Sequence, residues 1–463
     1  LCRQIGIPVV YFIPPQVWVW NQRRAGILSR NVDWILTIFP WEENYFKSGL
    51  AKVKWVGHPV LSKISDFNPP EVNKTAKKII LLPGSRGKEI EDFLEIFKKA
   101  FISFIDRHPD FEYVMVLASE RYKNNLEAEI PEVDAYFGTM ELPLILKQFE
   151  ADYKTELVGE RLLATPQHYA YMKISEGCNR TCSFCAIPLM RGQHVSKPID
   201  ELVKEAEGLV KKGVKEVMLI AQELTYYGLD IYKKRMLPDL LQRLADVKGL
   251  EWIRLHYAYP SKFPLEILDV MRERDNICNY LDMPLQHAAN NMLKAMKRNI
   301  TREEMEDLTA AIRSKVPGIC LRTTLIAGFP GETLDDIEEL KEFLQRQRFD
   351  RVGTFTYSHE EGTSGFALAD DVPAEEKERR AQEIMEVQQE ISFELNQVKI
   401  GKTFKTLIDK KEAGRYLGRT EFDSVEVDNE VVIHSKKKLP IGEFVNVKIT
   451  KAYDYDLEGE LVG

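Results

Sequence analysis

The sequence predicts an α/β chain built around a parallel (βα)6 partial barrel, with a small all-β barrel after it and a different α/β segment before it. Three observations predict this. From about residue 165, short apolar runs alternate with amphipathic stretches six times in about 200 residues. Beyond about residue 396 the helical period gives way to closely spaced β segments with Gly turns. Residues 1–126 carry a strand–helix alternation of their own, separated from the rest by a stretch of mixed character.

In the first part PVVYF, WILTIF, VKWVG, KIILLPG and YVMVLA read as strands and EIEDFLEIFKKAFISFIDRHP as a helix, the pattern of an open α/β sheet. Residues 127–164 read as a joint. The barrel strands are HYAYMKIS, EVMLIAQ, WIRLHYAY, YLDMPLQ, ICLRTTLIAG and RVGTFTYS. Between them IDELVKEAEGLVKKG, LPDLLQRLADV, PLEILDVMRER, REEMEDLTAAIRSK and LDDIEELKEFLQRQ place apolar residues on one helical face and charges on the other. In such barrels the chemistry sits at the C-terminal ends of the strands. A long charged helix follows, PAEEKERRAQEIMEVQQEISFELNQV, whose charge run over 375–390 reads as a solvated face. The terminal β region is mildly basic, with twelve Lys/Arg against eight Asp/Glu over 398–453.

A length of 463 residues implies two to four domains, and 44% hydrophobic with 29% charged residues is ordinary for a globular protein. A net charge of −8 argues against a general electrostatic grip on nucleic acid. No apolar run approaches the roughly 18 residues of a membrane span, and no secretory signal is visible. The six cysteines are too sparse for a disulfide scaffold and three are clustered, which favours the reducing cytoplasm and metal-ligating thiolates. The chain opens LCRQIGIPVV, without Met and already inside a strand, and reads as a fragment at that end.

The clustered cysteines are Cys178, Cys182 and Cys185, a C-x3-C-x2-C run in the loop after the first barrel strand. Close thiolates bind iron–sulfur clusters or zinc. A cubane held by three cysteines leaves one iron open, and an open position marks a catalytic metal. The alternative is a structural zinc site completed by His194 or His168. Cys278 and Cys320 stand in apolar contexts as buried thiols. His256 and His287 lie at strand ends, packed or catalytic, and Arg191 is a carboxylate holder or a loop ion-pair partner.

C-x3-C-x2-C with Phe184 before the last cysteine resembles the radical S-adenosylmethionine enzymes. The resemblance implies a 4Fe–4S cluster on the three cysteines and S-adenosyl-L-methionine on its open iron. Gln222 and Glu223, in LIAQELTYYGLD, match the family's contacts to the cofactor's amino group and ribose. TTLIAGFPGET resembles the family's glycine-bearing strand end, where Gly328 and Gly331 let the backbone approach the adenine.

Within that superfamily SEGCNRTCSFCAIPLMRG, DMPLQHAANNMLKAMKR, YSHEEGTSGFAL and a terminal barrel of the TRAM kind resemble RimO-type methylthiotransferases. That implies methylthiolation of the β-carbon of an aspartate in small-subunit ribosomal protein twelve, with a flavodoxin- or ferredoxin-type electron donor. MiaB-type enzymes, which act on transfer RNA, share the architecture; the weakly basic terminal barrel favours a protein substrate. A non-catalytic module binding ribosome or RNA is a further reading. The family's N-terminal domain holds a second 4Fe–4S cluster on three more cysteines. Here only Cys2 precedes the triad, so that cluster is expected to be absent and sulfur insertion to fail while cofactor cleavage survives. IPEVDAYFGTMELPLIL reads as the last remnant of that domain.

The first part has its own resemblance. YFIPPQVWVWNQRRAGILSRNVDWILTIFPWEENYF, KWVGHPV and LLPGSRGKEI resemble lipid-A-disaccharide synthase, a glycosyltransferase of GT-B-like fold. Gly84 and Ser85 would meet a sugar-nucleotide phosphate. Only the middle of such an enzyme is covered, so glycosyl transfer is not expected, and an artificial junction near 120–130 is a simpler origin than a true fusion. The expected division is therefore 1–126 transferase-like, 127–164 linker and remnant, 165–395 radical S-adenosylmethionine core and 396–463 TRAM barrel.

Overall fold

The computed structural model describes residues 165–463 except 413, 436 and 463. Upstream it describes 9–12, 25, 28–30, 32–38, 42–46, 51–56, 78–82, 98–99, 101–117, 123–138, 141, 144 and 163. Two compact units result, Leu1–Lys77 and Lys78–Gly463. In the first, β1 (Val10–Phe12), β2 (Trp34–Thr37) and β3 (Lys52–Trp55) form a parallel sheet over Ile35, Phe46 and Ala51. PPQVWVW, Cys2 and PGSRGKE with Gly84 and Ser85 lie outside the described residues, as does 145–162 of the joint.

The second unit begins with another parallel sheet, β4 (Lys78–Leu81), β5 (Glu112–Leu117) and β6 (Ala135–Gly138). It crosses the expected 126/127 boundary. Leu126, Ile130, Val133 and Tyr136 share one buried cluster with Phe101, Tyr113 and Met115, and the Tyr136 hydroxyl donates to the carbonyls of Leu126 and Ile130. Packing is continuous where the expected division places a boundary.

Six parallel strands then form one open sheet in the order β14-β13-β12-β11-β10-β7. They are β7 (Tyr169–Lys173), β10 (Glu216–Ile220), β11 (Trp252–Leu255), β12 (Ile277–Asp282), β13 (Cys320–Ala327) and β14 (Arg351–Thr356). A two-stranded ribbon, β8 (Ser175–Glu176) and β9 (Val195–Ser196), intervenes after β7. Alternate strand residues such as Met172, Val217, Leu219, Ile253, Leu255 and Leu321 pack against the apolar faces of the connecting helices in the main core. Two of those helices, Arg302–Lys315 and Leu334–Gln347, start from complete capping boxes at Thr301 and Thr333.

Helix Ala374–Gln397 lies against β14 and Leu334–Gln347. Its charge run is not wholly solvated. Lys377 and Arg380 are buried, Arg380 on Glu332 at 2.8 Å and Lys377 on Asp370 at 2.6 Å. The chain then closes a five-stranded barrel, β15-β16-β17-β19-β18, around Ile408, Tyr416, Ile433, Val447 and Leu457. Its strands are β15 (Thr403–Glu412), β16 (Arg415–Thr420), β17 (Val431–Ile433), β18 (Phe444–Ala452) and β19 (Leu457–Leu461).

The barrel is joined to the open sheet through the 421–430 loop after β16. Asp423 pairs with Arg351 of β14 at 2.6 Å, Ser424 meets His256 at 2.9 Å, and Asp428 accepts from Tyr280 of β12 at 2.7 Å. Trp252, Cys278, Tyr280 and Cys320 share a cluster with Leu407, Phe422 and Phe444 of the barrel. At the centre Glu216 sits 2.8 Å from both Arg254 of β11 and Arg419 of β16, with no exposure. No helix among the described residues is long and apolar enough to cross a membrane.

Candidate active site

The cysteine loop leaves β7 and is pinched at its base where β8 pairs with β9. Gly177 sits there at φ +75°, where a Cβ would lie 2.1 Å from the Gln193 carbonyl, so only glycine fits. The Cys178 amide donates to the Gly192 carbonyl at 3.1 Å and the His194 amide to Asn179 Oδ1 at 2.9 Å. Ser183 fastens the tip, its Oγ donating to the Ala295 carbonyl at 2.8 Å while its own carbonyl accepts from the Gly365 amide. Segments from after β12 and after β14 thus hold the loop over the strand ends.

Cys178, Cys182 and Cys185 line one cavity of about 350 Å³ together with Arg180, Phe184, Gln222, Glu223, Tyr257, Tyr259, Gln286, Arg298, Arg322, Thr324, Phe355 and Val427. Burial pushes the Cys178 thiol up to about 11 and raises Cys185 as well. As free thiols both are protonated near neutrality, so a metal would displace their protons. Phe184 is half-buried against Met292, Met296, Phe329 and Tyr357. Gln222 donates to Glu176 at 2.7 Å and keeps its Oε1 buried without a donor. Glu223 is fully engaged: it accepts from the Thr225 amide at 2.7 Å and hydroxyl at 2.5 Å, and pairs with Arg180 at 3.0 Å.

Of the residues singled out from sequence, the three cysteines, Phe184, Gln222 and Glu223 come together. Gly328 and Gly331 are not among the cavity's lining. A Cβ on Gly328, at φ +78°, would lie 2.2 Å from Lys377 Cγ, so the close neighbour there is the chain's own lysine stem. Gly331, at φ +79°, faces open space. Sequence reasoning missed Arg180, Tyr257, Tyr259, Gln286, Arg298, Arg322, Thr324, Phe355 and Val427. Arg180 stacks between Tyr226 and Tyr259 at 4.0 and 3.8 Å, and Arg298 lies 4.2 Å over the Tyr259 ring.

The histidines offered for a zinc site have other partners: His168 bonds Asp409 at 2.9 Å and His194 meets Ser196 at 3.1 Å. Among the described residues no three His, Cys, Asp or Glu side chains converge on one ion. All three thiols line the one cavity. His256 and His287 are packed, on Ser424 and beside Glu332 respectively. Arg191 is exposed, 4.0 Å from Glu176, while Cys278 and Cys320 are buried thiols beneath the barrel.

The Radical SAM superfamily matches residues 172–344, the TRAM domain 400–462 and Lipid-A-disaccharide synthetase 2–143. The ribosomal protein uS12 methylthiotransferase RimO of Cytophaga hutchinsonii is 61% identical over 351 residues, 76% of this chain and 80% of that protein. That of Flavobacterium psychrophilum is 55% identical over 380 residues, 82% of this chain and 87% of that protein. A stretch of 351 residues in a 463-residue chain starts at or before residue 113, so this likeness and the synthetase match overlap on both sides of residue 127. Among solved structures, the radical S-adenosylmethionine methyltransferase TsrM of Kitasatospora setae matches with a TM-score of 0.42 at 14% identity, covering 70% of this chain and 72% of that one.

Proposed function

Because the chain belongs to the RimO family of ribosomal protein uS12 methylthiotransferases, we propose that it is a radical S-adenosylmethionine enzyme of the methylthiotransferase kind, directed at the β-carbon of an aspartate in uS12 and impaired in the sulfur-insertion step. The observation that carries the reading is the C-x3-C-x2-C triad opening on one cavity with Gln222 and Phe184. The donor set fits a 4Fe–4S cluster held by Cys178, Cys182 and Cys185. The orphaned Gln222 Oε1 fits an ammonium donor such as the amino group of S-adenosylmethionine. When bound, cluster and cofactor together supply a 5′-deoxyadenosyl radical by reductive cleavage of the sulfonium. The chain's own residues hold that pair in place. The Phe184 ring shields the ligand loop from one side, and Glu223 locks Arg180 between two tyrosines. Val427 carries the terminal barrel into the cavity wall.

Gly328 and Gly331 keep a place in this reading only as turn residues near the strand end. The electron donor is of flavodoxin or ferredoxin type and the location cytoplasmic. The four-part division 1–126, 127–164, 165–395 and 396–463 belongs to the reading too, its first cut as a change of sequence character within one packed cluster. Cys2 is the one cysteine upstream of Cys178 within these 463 residues, so this stretch, tested by itself, is expected to cleave the cofactor without inserting sulfur. The test is anaerobic reconstitution followed by iron counting and product analysis with a uS12 peptide. Roughly four irons per chain and 5′-deoxyadenosine support the reading. A colourless zinc protein refutes it, and a methylthiolated peptide refutes the expected failure of sulfur insertion. Cys182→Ala should lose cluster and cleavage together.

The match of residues 2–143 to lipid-A-disaccharide synthetase favours a second reading, a glycosyltransferase remnant. Binding of a UDP-sugar to the full chain, measured by equilibrium dialysis, would support it; no binding at millimolar ligand would end it.

A further inference from the structure

We infer that Arg298 is a fixed counter-cation for the metal cluster of the cysteine triad, a positioning residue that favours uptake of one electron there; this rests on the cluster reading above. Arg298 is only 4% exposed. A buried guanidinium is normally matched by a carboxylate, because an unpaired charge in a low-dielectric interior is costly. The other buried arginines follow that rule: Arg254 has Glu216, Arg351 has Asp423, Arg380 has Glu332 and Arg419 has Asp409. So do the other two arginines of the cavity, Arg180 with Glu223 and Arg322 with Asp282.

Arg298 is the exception among the described residues. Its Nη1 donates to Cys182 Sγ at 3.3 Å, its Nη2 to the Pro284 carbonyl, and its Nε is buried without a partner. Its plane rests on the Tyr259 ring, and the Tyr259 hydroxyl donates to the Arg298 carbonyl at 2.7 Å while lying 3.8 Å from Cys182 Sγ. Cation, ring and sulfur thus form one unit, and the other guanidinium on that ring, Arg180, already has Glu223 as its own partner.

No carboxylate of the chain balances the Arg298 charge, whereas a 4Fe–4S core held by three cysteine sulfurs would carry the net negative charge that does. One-electron reduction adds a further negative charge without making or breaking a bond, the electron coming from an external reductant. A cation within hydrogen-bond reach of a ligand sulfur stabilises the reduced state more than the oxidised one, since net charge and hydrogen bonds to sulfur set the potentials of such clusters.

The test is a potentiometric titration of the reconstituted full chain, read by electron paramagnetic resonance, for wild type, Arg298→Lys and Arg298→Gln, with iron counted on each. At the wild-type midpoint the Gln variant should show a reduced-to-oxidised ratio about tenfold lower, about 59 mV for one electron. The Lys variant should stay within about threefold of wild type, since it keeps the charge. A Gln variant without iron beside a loaded Lys variant also supports the requirement for charge. A wild-type ratio in the Gln variant overturns the proposal. So does a Lys variant that falls as far as Gln, or two iron-free variants beside a loaded wild type, because the residue then acts through shape. Wild type that takes up no iron overturns the cluster reading and this inference with it.

Discussion

Glu216→Gln is the sharpest probe of how the terminal barrel is held. Glu216 Oε1 accepts from Arg254 Nε at 2.8 Å, and Oε2 makes an ion contact of 2.8 Å with Arg419 Nη2. Asp409 completes the group, 2.7 Å from Arg419, so one buried and one partly buried carboxylate face two buried guanidiniums. The amide keeps the volume of Glu216 but removes one negative charge, leaving a buried cation uncompensated. Arg254 then keeps neutral acceptors only, the amide oxygen and the Glu421 and Thr420 carbonyls, beside the Tyr280 and Trp252 rings. Removing one partner of a buried pair costs about 3–5 kcal/mol. Hydrogen exchange read by mass spectrometry can localise that loss. Amides of β10 and β16 should exchange about a hundredfold faster or more at pH 7, while those of β5 serve as an internal reference. Removing Arg254 as well, in Glu216→Gln with Arg254→Met, restores the charge balance and should recover part of the protection. Exchange within about threefold of wild type in the single variant, or a double variant worse than the sum of both singles, would refute the reasoning.

Five further outcomes are expected. Burial raises the pKa of Glu216 and of Asp423, but Arg419 with Arg254, and Arg351 with Lys399, more than offset it, so both carboxyls end below their usual values. Their contribution to stability is therefore intact above about pH 4.5 and lost as pH falls through the depressed folded values. Urea midpoints across pH 2–7 should show this fall, smaller in Glu216→Gln. Gly328→Ala combines a left-handed backbone with a Cβ 2.2 Å from Lys377 Cγ and should cost about 2–4 kcal/mol in chemical unfolding. Gly331→Ala, with the same backbone strain but open space, should cost only about 1 kcal/mol. Thr333→Ala removes the cap that accepts from the Asp336 amide and should lower stability by about 1 kcal/mol. Val427→Trp should fill the cavity wall and weaken S-adenosylmethionine binding about tenfold by equilibrium dialysis, with far-ultraviolet circular dichroism unchanged.

The six barrel strands were legible because parallel strands buried on both faces read as apolar runs between amphipathic helices, and HYAYMKIS and EVMLIAQ contain β7 and β10. The triad was legible because its ligands are neighbours in sequence. Arg298 and Val427 were not, since each reaches the cavity only through tertiary closure, one from after β12 and one from a loop of the terminal barrel. A faint signal existed for Arg298: no acidic residue stands three or four places either side of it. Gly328 shows the limit of motif reasoning. The resemblance implies a cofactor adenine beside it, whereas the neighbour present there is Lys377. The charge run over 375–390 hid two inward residues because Glu332 and Asp370, their partners, lie on other elements.

The 421–430 loop gives the chain an order of assembly. All six strands leave the ribosome before the segment that covers their inner side, so nascent chain ending near Val398 presents Glu216, Arg254, Trp252 and Tyr280 to water. Of the residues that line the cysteine cavity only Val427 comes from the later segment, so a chain of that length already carries the triad and the rest of its wall. The basin around the triad is thus nearly complete before that loop joins it, and what the loop mainly covers is the charged inner side of the sheet at Glu216, Arg254 and Arg351.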